Sequence, residues 1–165
     1  MKRVLVIFLL LFPGLVAQAQ QCNDAILTSA PDDNYFTNDD GTVTELETGL
    51  TWTRCALGQH WNGRHCDGKA LRMNWQQAGE YIRQHDLTRW RIPKLAELAS
   101  IVERRCKSPR INQVLFPDTP RGSFWTKNQK RSEKDRFYLL DFDREGVRVA
   151  DKNELHFVRL VSGRE

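Results

Sequence analysis

The first nineteen residues constrain this chain most, because they set the redox environment in which everything after them folds. Lys2 and Arg3 make a positive start, Val4 to Val16 is an apolar run, and Ala17-Gln18-Ala19 is a small-x-small cleavage site. The pattern predicts a signal peptide over residues 1–19, a mature chain beginning at Gln20, and an exported protein, periplasmic or extracellular. The apolar run falls short of the roughly 20 residues that a membrane-spanning helix needs, and no second such run follows. Cys22 is preceded by Ala19-Gln20-Gln21 and not by a small-residue lipobox, which leaves its thiol for disulfide chemistry.

In an oxidising compartment an even number of cysteines reads as disulfides. Cys22, Cys55, Cys66 and Cys106 allow three pairings. The segment Ala56 to His65 contains Gly58 and Asn62-Gly63, turn chemistry that lets a short loop return on itself, and this favours Cys55 with Cys66. Cys22 then pairs with Cys106 and ties the mature N-terminus to the body. Zinc is the rival for the same loop, since Cys55, His60, His65 and Cys66 are all ligand types. Their spacing fits no standard zinc pattern closely, and adjacent His65 and Cys66 sit awkwardly in one tetrahedron, so the expectation is two disulfides and no metal. No Cys-x-x-Cys occurs, which leaves a thioredoxin-like redox role without support.

From Gln20 onward the chain has the length of one compact domain with a single core. Its net charge of +4 includes Lys2 and Arg3 of the leader, so the mature chain is nearly balanced, and distribution matters more than the total. Gln20 to Leu50 is acidic with no Lys or Arg. Residues 20–41 read as an irregular lead-in held only by Cys22. Val43 to Leu46 and Leu50 to Thr53 are β-prone runs around Glu47-Thr48-Gly49, a hairpin signature. Asn74 with Gln77 three residues later makes a capping box, and Trp75, Ala78, Tyr81 and Ile82 recur at helical spacing up to about His85. A second stripe, Leu95, Leu98, Ile101 and Val102, predicts a helix stopped by Pro109, with both stripes facing one core. Ser123–Thr126, Phe137–Phe142, Val147–Ala150 and Leu155–Val161 then read as strands, with Asp143 to Gly146 as a turn. The class is α+β: two helices packed on a small antiparallel sheet with long loops, stabilised by disulfides.

Six motifs follow in order: Thr48-Gly49-Leu50-Thr51-Trp52-Thr53-Arg54; Trp75 with Ala78; Trp90-Arg91-Ile92-Pro93 with Glu97-Leu98; Ile111-Asn112 with Phe116-Pro117; Phe124-Trp125-Thr126; and Phe157-Val158-Arg159-Leu160-Val161. Each is weak alone. Together, over residues 42–163, the chain resembles the Lcl C-terminal domain family. The resemblance implies a C-type-lectin-like fold in a bacterial secreted or surface protein, and the family takes its name from a collagen-like adhesin that binds sulfated glycosaminoglycans. This chain lacks the Gly-x-y region of that adhesin, so trimerisation by that route is not expected. Lys94 stands where the family usually offers a Ser or Thr helix cap, which predicts a weaker helix start.

The shared residues also have physical reasons of their own. Trp52, Trp75, Trp90 and Trp125 are large enough to anchor a core where helices meet a sheet. Arg91, between Trp90 and Ile92, and Glu97, one helical turn past Pro93, are placed to form a partly buried ion pair that fixes the loop-to-helix junction, an architectural role. Arg159, alternating with apolar residues, is expected as a third member of that network.

Function is sought in the basic run from Arg104 to Arg136, where lysines and arginines outnumber the acids Asp118, Glu133 and Asp135. Clustered Lys and Arg suit sulfate or phosphate groups, and Arg121, Lys127, Lys130, Arg131 and Lys134, beside Trp125, are the candidate ligands for an anionic glycan. Nucleic acid would use the same electrostatics, but the compartment and the lack of its motifs make it the weaker partner. Calcium-dependent sugar binding of the animal-lectin kind needs a Glu-Pro-Asn or Gln-Pro-Asp loop and a Trp-Asn-Asp strand, and neither is present. Some oxidases that generate formylglycine share this broad fold, yet no catalytic triad context, phosphate loop or His-Glu-x-x-His occurs. The expectation is a secreted or periplasmic binding domain without catalysis or cofactor. Its alternative is a structural partner of a pilus, secretion or envelope complex.

Overall fold

The computed structural model describes residues 20–144 and 146–164, so the predicted leader lies outside the described residues. The chain opens with β1 (Gln21–Cys22), a single 3-10 turn at Asp32–Asn34, β2 (Tyr35–Thr37), β3 (Thr42–Glu45) and β4 (Thr51–Thr53). The expected hairpin is β3–β4, with Thr42 opposite Thr53 and the fully buried pair Val43 and Trp52 side by side. Gly49 in its turn has φ 69°, a left-handed conformation that suits a residue without Cβ.

Two short strands, β5 (His60–Trp61) and β6 (Cys66–Asp67), form a separate ribbon closed by the Cys55–Cys66 disulfide. That bond engages both sulfurs of the proposed zinc set. Helix α1 (Trp75–Gln84) starts on the predicted capping box: Asn74 Oδ1 accepts the Gln77 N–H at 2.8 Å, and Gln77 Oε1 accepts the Asn74 N–H at 3.0 Å. Helix α2 (Leu95–Ser100) is shorter than its apolar stripe. Pro109 does not end it. Val102 already bridges to Ile111, and the Glu103 N–H donates to the Arg110 carbonyl at 3.1 Å, so extended pairing replaces the next helical turn.

Next, β7 (Cys106–Lys107) pairs with β1, and the Cys22–Cys106 disulfide joins the two strands where they face. The lead-in is held by more than Cys22. β2 adds to the β3–β4 hairpin, and the buried Glu103 carboxylate accepts bonds from Thr28 Oγ1 at 2.5 Å, Ser29 N–H at 3.2 Å and Ala30 N–H at 3.1 Å. Burial alone would raise the pKa of Glu103, but the bonds from Thr28, Ala30, Arg105 and Ser29 outweigh it and hold the carboxyl below its usual range.

The last third is the antiparallel meander β8 (Ser123–Gln129), β9 (Arg136–Asp141) and β10 (Val147–Asp151), followed by β11 (Val161–Ser162) beside β4. The strand expected over Leu155–Val161 is instead a seam. Its backbone bonds to several neighbours in turn: Phe157 with Ser123 and Trp125, Val158 with Leu57, Leu160 with Thr53, and Val161 with Arg91. Side chains of the seam divide between two clusters rather than one core. Phe157 and Val161 join Trp52, Leu98, Ile101 and Phe116, whereas Val158 and Leu160 join Ala78, Trp90, Trp125 and Leu139. Helix α2 therefore faces the first cluster and α1 the second.

Candidate functional site

The predicted junction forms as expected. Arg91 Nη1 and Nη2 grip Glu97 Oε2 and Oε1 at 2.7 and 2.9 Å, a two-pronged contact with both side chains mostly buried. Burial would raise the pKa of Glu97, but Arg91 and the Lys94 N–H, the latter at 2.7 Å, bring it below its usual value. Pro93 accepts the Lys127 N–H at 2.8 Å, which ties the junction to β8, and Trp90 packs beside it in the second cluster. The Lys94 side chain cannot accept a bond and supplies no cap. Asn128 of β8 does so in its place, taking the Leu95 N–H at 2.7 Å.

Arg159 is not part of this network. It is fully buried, and its guanidinium donates to the carbonyls of Thr53 at 2.6 Å and Arg54 at 2.5 Å and to Thr119 Oγ1 at 2.7 Å, with the Phe116 ring 4.8 Å away. Burial pushes its pKa down to about 9, which leaves it charged at neutral pH.

The basic run does not make one surface. Lys127, Lys130, Arg131 and Lys134 lie on β8 and the turn that leads into β9, whereas Arg121 precedes the opposite end of β8, about 20 Å away at strand rise. In the turn, Glu133 contacts Lys130 and lies 3.8 Å from Arg136, so part of that charge is balanced locally; Arg131 and Lys134 are exposed. Trp125 is not beside this charge as a stacking platform. It is fully buried, with Nε1 donating to the Met73 carbonyl at 2.7 Å and its ring edge-on to Trp75 and Phe137.

Arg121 instead meets Arg72, Arg144 and Arg148 around a cavity of about 290 Å³ where β8 begins, β9 ends and β10 begins. Two carboxylates share the lining, and both are engaged. Asp141 accepts Ser123 Oγ at 2.7 Å and the N–H groups of Asp143 and Arg144 at 2.8 and 2.9 Å, with Arg148 at 3.9 Å. Burial works to raise its pKa, and the bonds from Arg144, Ser123 and Asp143 bring it below the usual carboxylate value. Asp143 accepts Ser108 Oγ at 3.1 Å and lies 4.0 Å from Arg121. His156, also on the wall, has its pKa lowered by burial first, with Arg148 and Arg72 adding to the effect against Glu154 at 3.4 Å. Four guanidinium groups face two carboxylates, with Arg121 and Arg148 at ion-pair distance from Asp143 and Asp141, so the concavity has a net positive lining.

Of these groups, sequence reasoning found Arg121 alone. Arg144 lies in the predicted turn, and Arg148 follows Gly146 by two residues, a local signal that chain-wide charge counting hides. Arg72 sits in no basic run, and only the tertiary fold brings it there.

The molecule is thus a disulfide-tied α+β domain built around a buried seam and an arginine-lined pocket. Residues 41–162 match the family model described as the Lcl C-terminal domain, and the chain belongs to that family. No curated protein and no solved structure matches it.

Proposed function

We propose that this is an exported, non-enzymatic binding domain for sulfated or otherwise anionic glycans, with a C-type-lectin-like fold as the family resemblance implies. The observation that supports the reading is the pocket where Arg72, Arg121, Arg144 and Arg148 outnumber Asp141 and Asp143, which leaves its lining net positive even with Arg148 and Arg121 at ion-pair distance from those acids. Arginine offers a planar, two-pronged donor to sulfate, carboxylate or phosphate. Lys127, Lys130, Arg131 and Lys134 give a long polyanion a second contact at the far end of the meander. Export is supported by the leader and by two disulfides.

Retention of the mature protein on immobilised heparin tests this. Arg144→Ala with Arg148→Ala should elute at clearly lower salt than wild type, and Lys130→Ala with Arg131→Ala should show a smaller shift, because exposed charges are screened beyond about 8 Å at physiological ionic strength. An anion in the pocket should also raise the His156 pKa, seen by NMR titration. Equal retention of all proteins, with His156 unmoved, would favour the second reading, an assembly partner of an envelope complex. That reading has its own support: β2 is an edge strand with Phe36 exposed, and Leu46 is exposed nearby, a surface open to strand addition.

A further inference from the structure

The arginine pocket shares Arg72 and Phe157 with a second cleft of about 680 Å³, whose walls combine the apolar Ala70, Leu71 and Pro120 with Gln59 and Lys69 at its polar rim. Arg72 stands on the boundary, its guanidinium carbon 4.8 Å from the centre of the Phe157 ring. Two glycines shape this arrangement. A Cβ at Gly122 would meet Phe157 at 3.4 Å and Arg72 Nη2 at 3.9 Å, ordinary contact distances, so it is the backbone φ of +128° that favours glycine where the two cavities adjoin. A Cβ at Gly58 would come within 2.4 Å of Leu71 Cγ and 2.8 Å of Leu71 N, so that glycine permits the close approach that seats Leu71 in the wall. Leu71 is 41% exposed and Leu155, on the arginine side, 53% exposed. A single exposed leucine signifies little; two of them flanking an arginine pocket and an adjoining apolar cleft make a bipartite surface.

We infer that the anion taken up by the arginine pocket bears an apolar chain, so that the preferred ligand is an acidic glycolipid: its charged sugar headgroup faces Arg72, Arg144 and Arg148, and its acyl chain lies along Leu71, Pro120 and Phe157. This rests on the anionic-glycan reading above and narrows it. A wholly polar polyanion satisfies the arginines and leaves the apolar walls wet, whereas each methylene buried in the cleft raises affinity about fourfold.

Calorimetric titration of the full mature chain with octyl phosphate below its micellar concentration, methyl phosphate and octyl glucoside tests this, with heparin retention run in parallel. Octyl phosphate should bind at least about tenfold more tightly than either of the other two, the worth of fewer than two buried methylenes. Leu71→Ser should erase its advantage over methyl phosphate, and Arg144→Ala should weaken both phosphates; thermal melts establish that each variant is folded, and the wild-type comparison needs no variant. Equal affinity for octyl and methyl phosphate with heparin still retained overturns the glycolipid inference and leaves the anionic-glycan reading standing. Octyl glucoside binding as tightly as octyl phosphate overturns it too, because the charge then contributes nothing. Binding of neither phosphate nor heparin overturns both.

Discussion

Arg159 is a buried cation whose hydrogen-bond partners are two backbone carbonyls and a hydroxyl. Its value lies in what those acceptors would lack without it, since a buried polar group left unpaired is destabilising by about 1–3 kcal/mol. Arg159→Met keeps much of the volume and removes the donors, and should lower stability by about 3 kcal/mol, measured by urea denaturation. Arg159→Lys should recover little, because one ammonium cannot span Thr53, Arg54 and Thr119 while lying against Phe116. A Met variant as stable as wild type would mean that water satisfies those acceptors and that the guanidinium is dispensable.

Within the lead-in, three bonds from Thr28, Ser29 and Ala30 converge on one distant side chain, Glu103. Glu103→Gln replaces an acceptor-only carboxylate with an amide that turns an NH2 toward N–H groups, so the bonds from Thr28, Ser29 and Ala30 cannot all survive. A loss of about 3 kcal/mol is expected, with hydrogen exchange faster at Ser29 and Ala30 while β8 and β9 keep their protection; uniform acceleration would show instead that lead-in and body open as one unit. Local chemistry made some elements readable beforehand. The Asn74–Gln77 box, the Gly49 turn and the Arg91–Glu97 pair are each settled by residues within a few positions of one another. The extent of α2, the pairing of Arg159 and the assembly of Arg72 with Arg148 depend on partners far along the chain, such as Ile111, Thr53 and Phe157, and periodicity contains no record of those meetings. Glu103 was missed for the same reason, its partners lying in a stretch that composition marks as loop.

For the molecule as a whole, acid should be destabilising in two stages. His156 has a lowered folded pKa, so the unfolded chain takes up a proton first as pH falls through about 6.5, and stability declines from there. Glu97, Glu103 and Asp141 have lowered carboxyl pKa values; their stabilisation is complete above the unfolded values of about 4 and is lost as pH falls through the folded ones. Melting temperatures from pH 7.5 to 3 should show a shallow limb and then a steep one, and His156→Gln should abolish the first alone. A single steep limb in both proteins would remove His156 from the account. The seam from Phe157 to Val161 makes the two clusters interdependent. It contributes side chains to both and a strand neighbour to β4. Neither cluster can keep its packing once the seam leaves, so the two should give way together, as one cooperative unit rather than as separate halves.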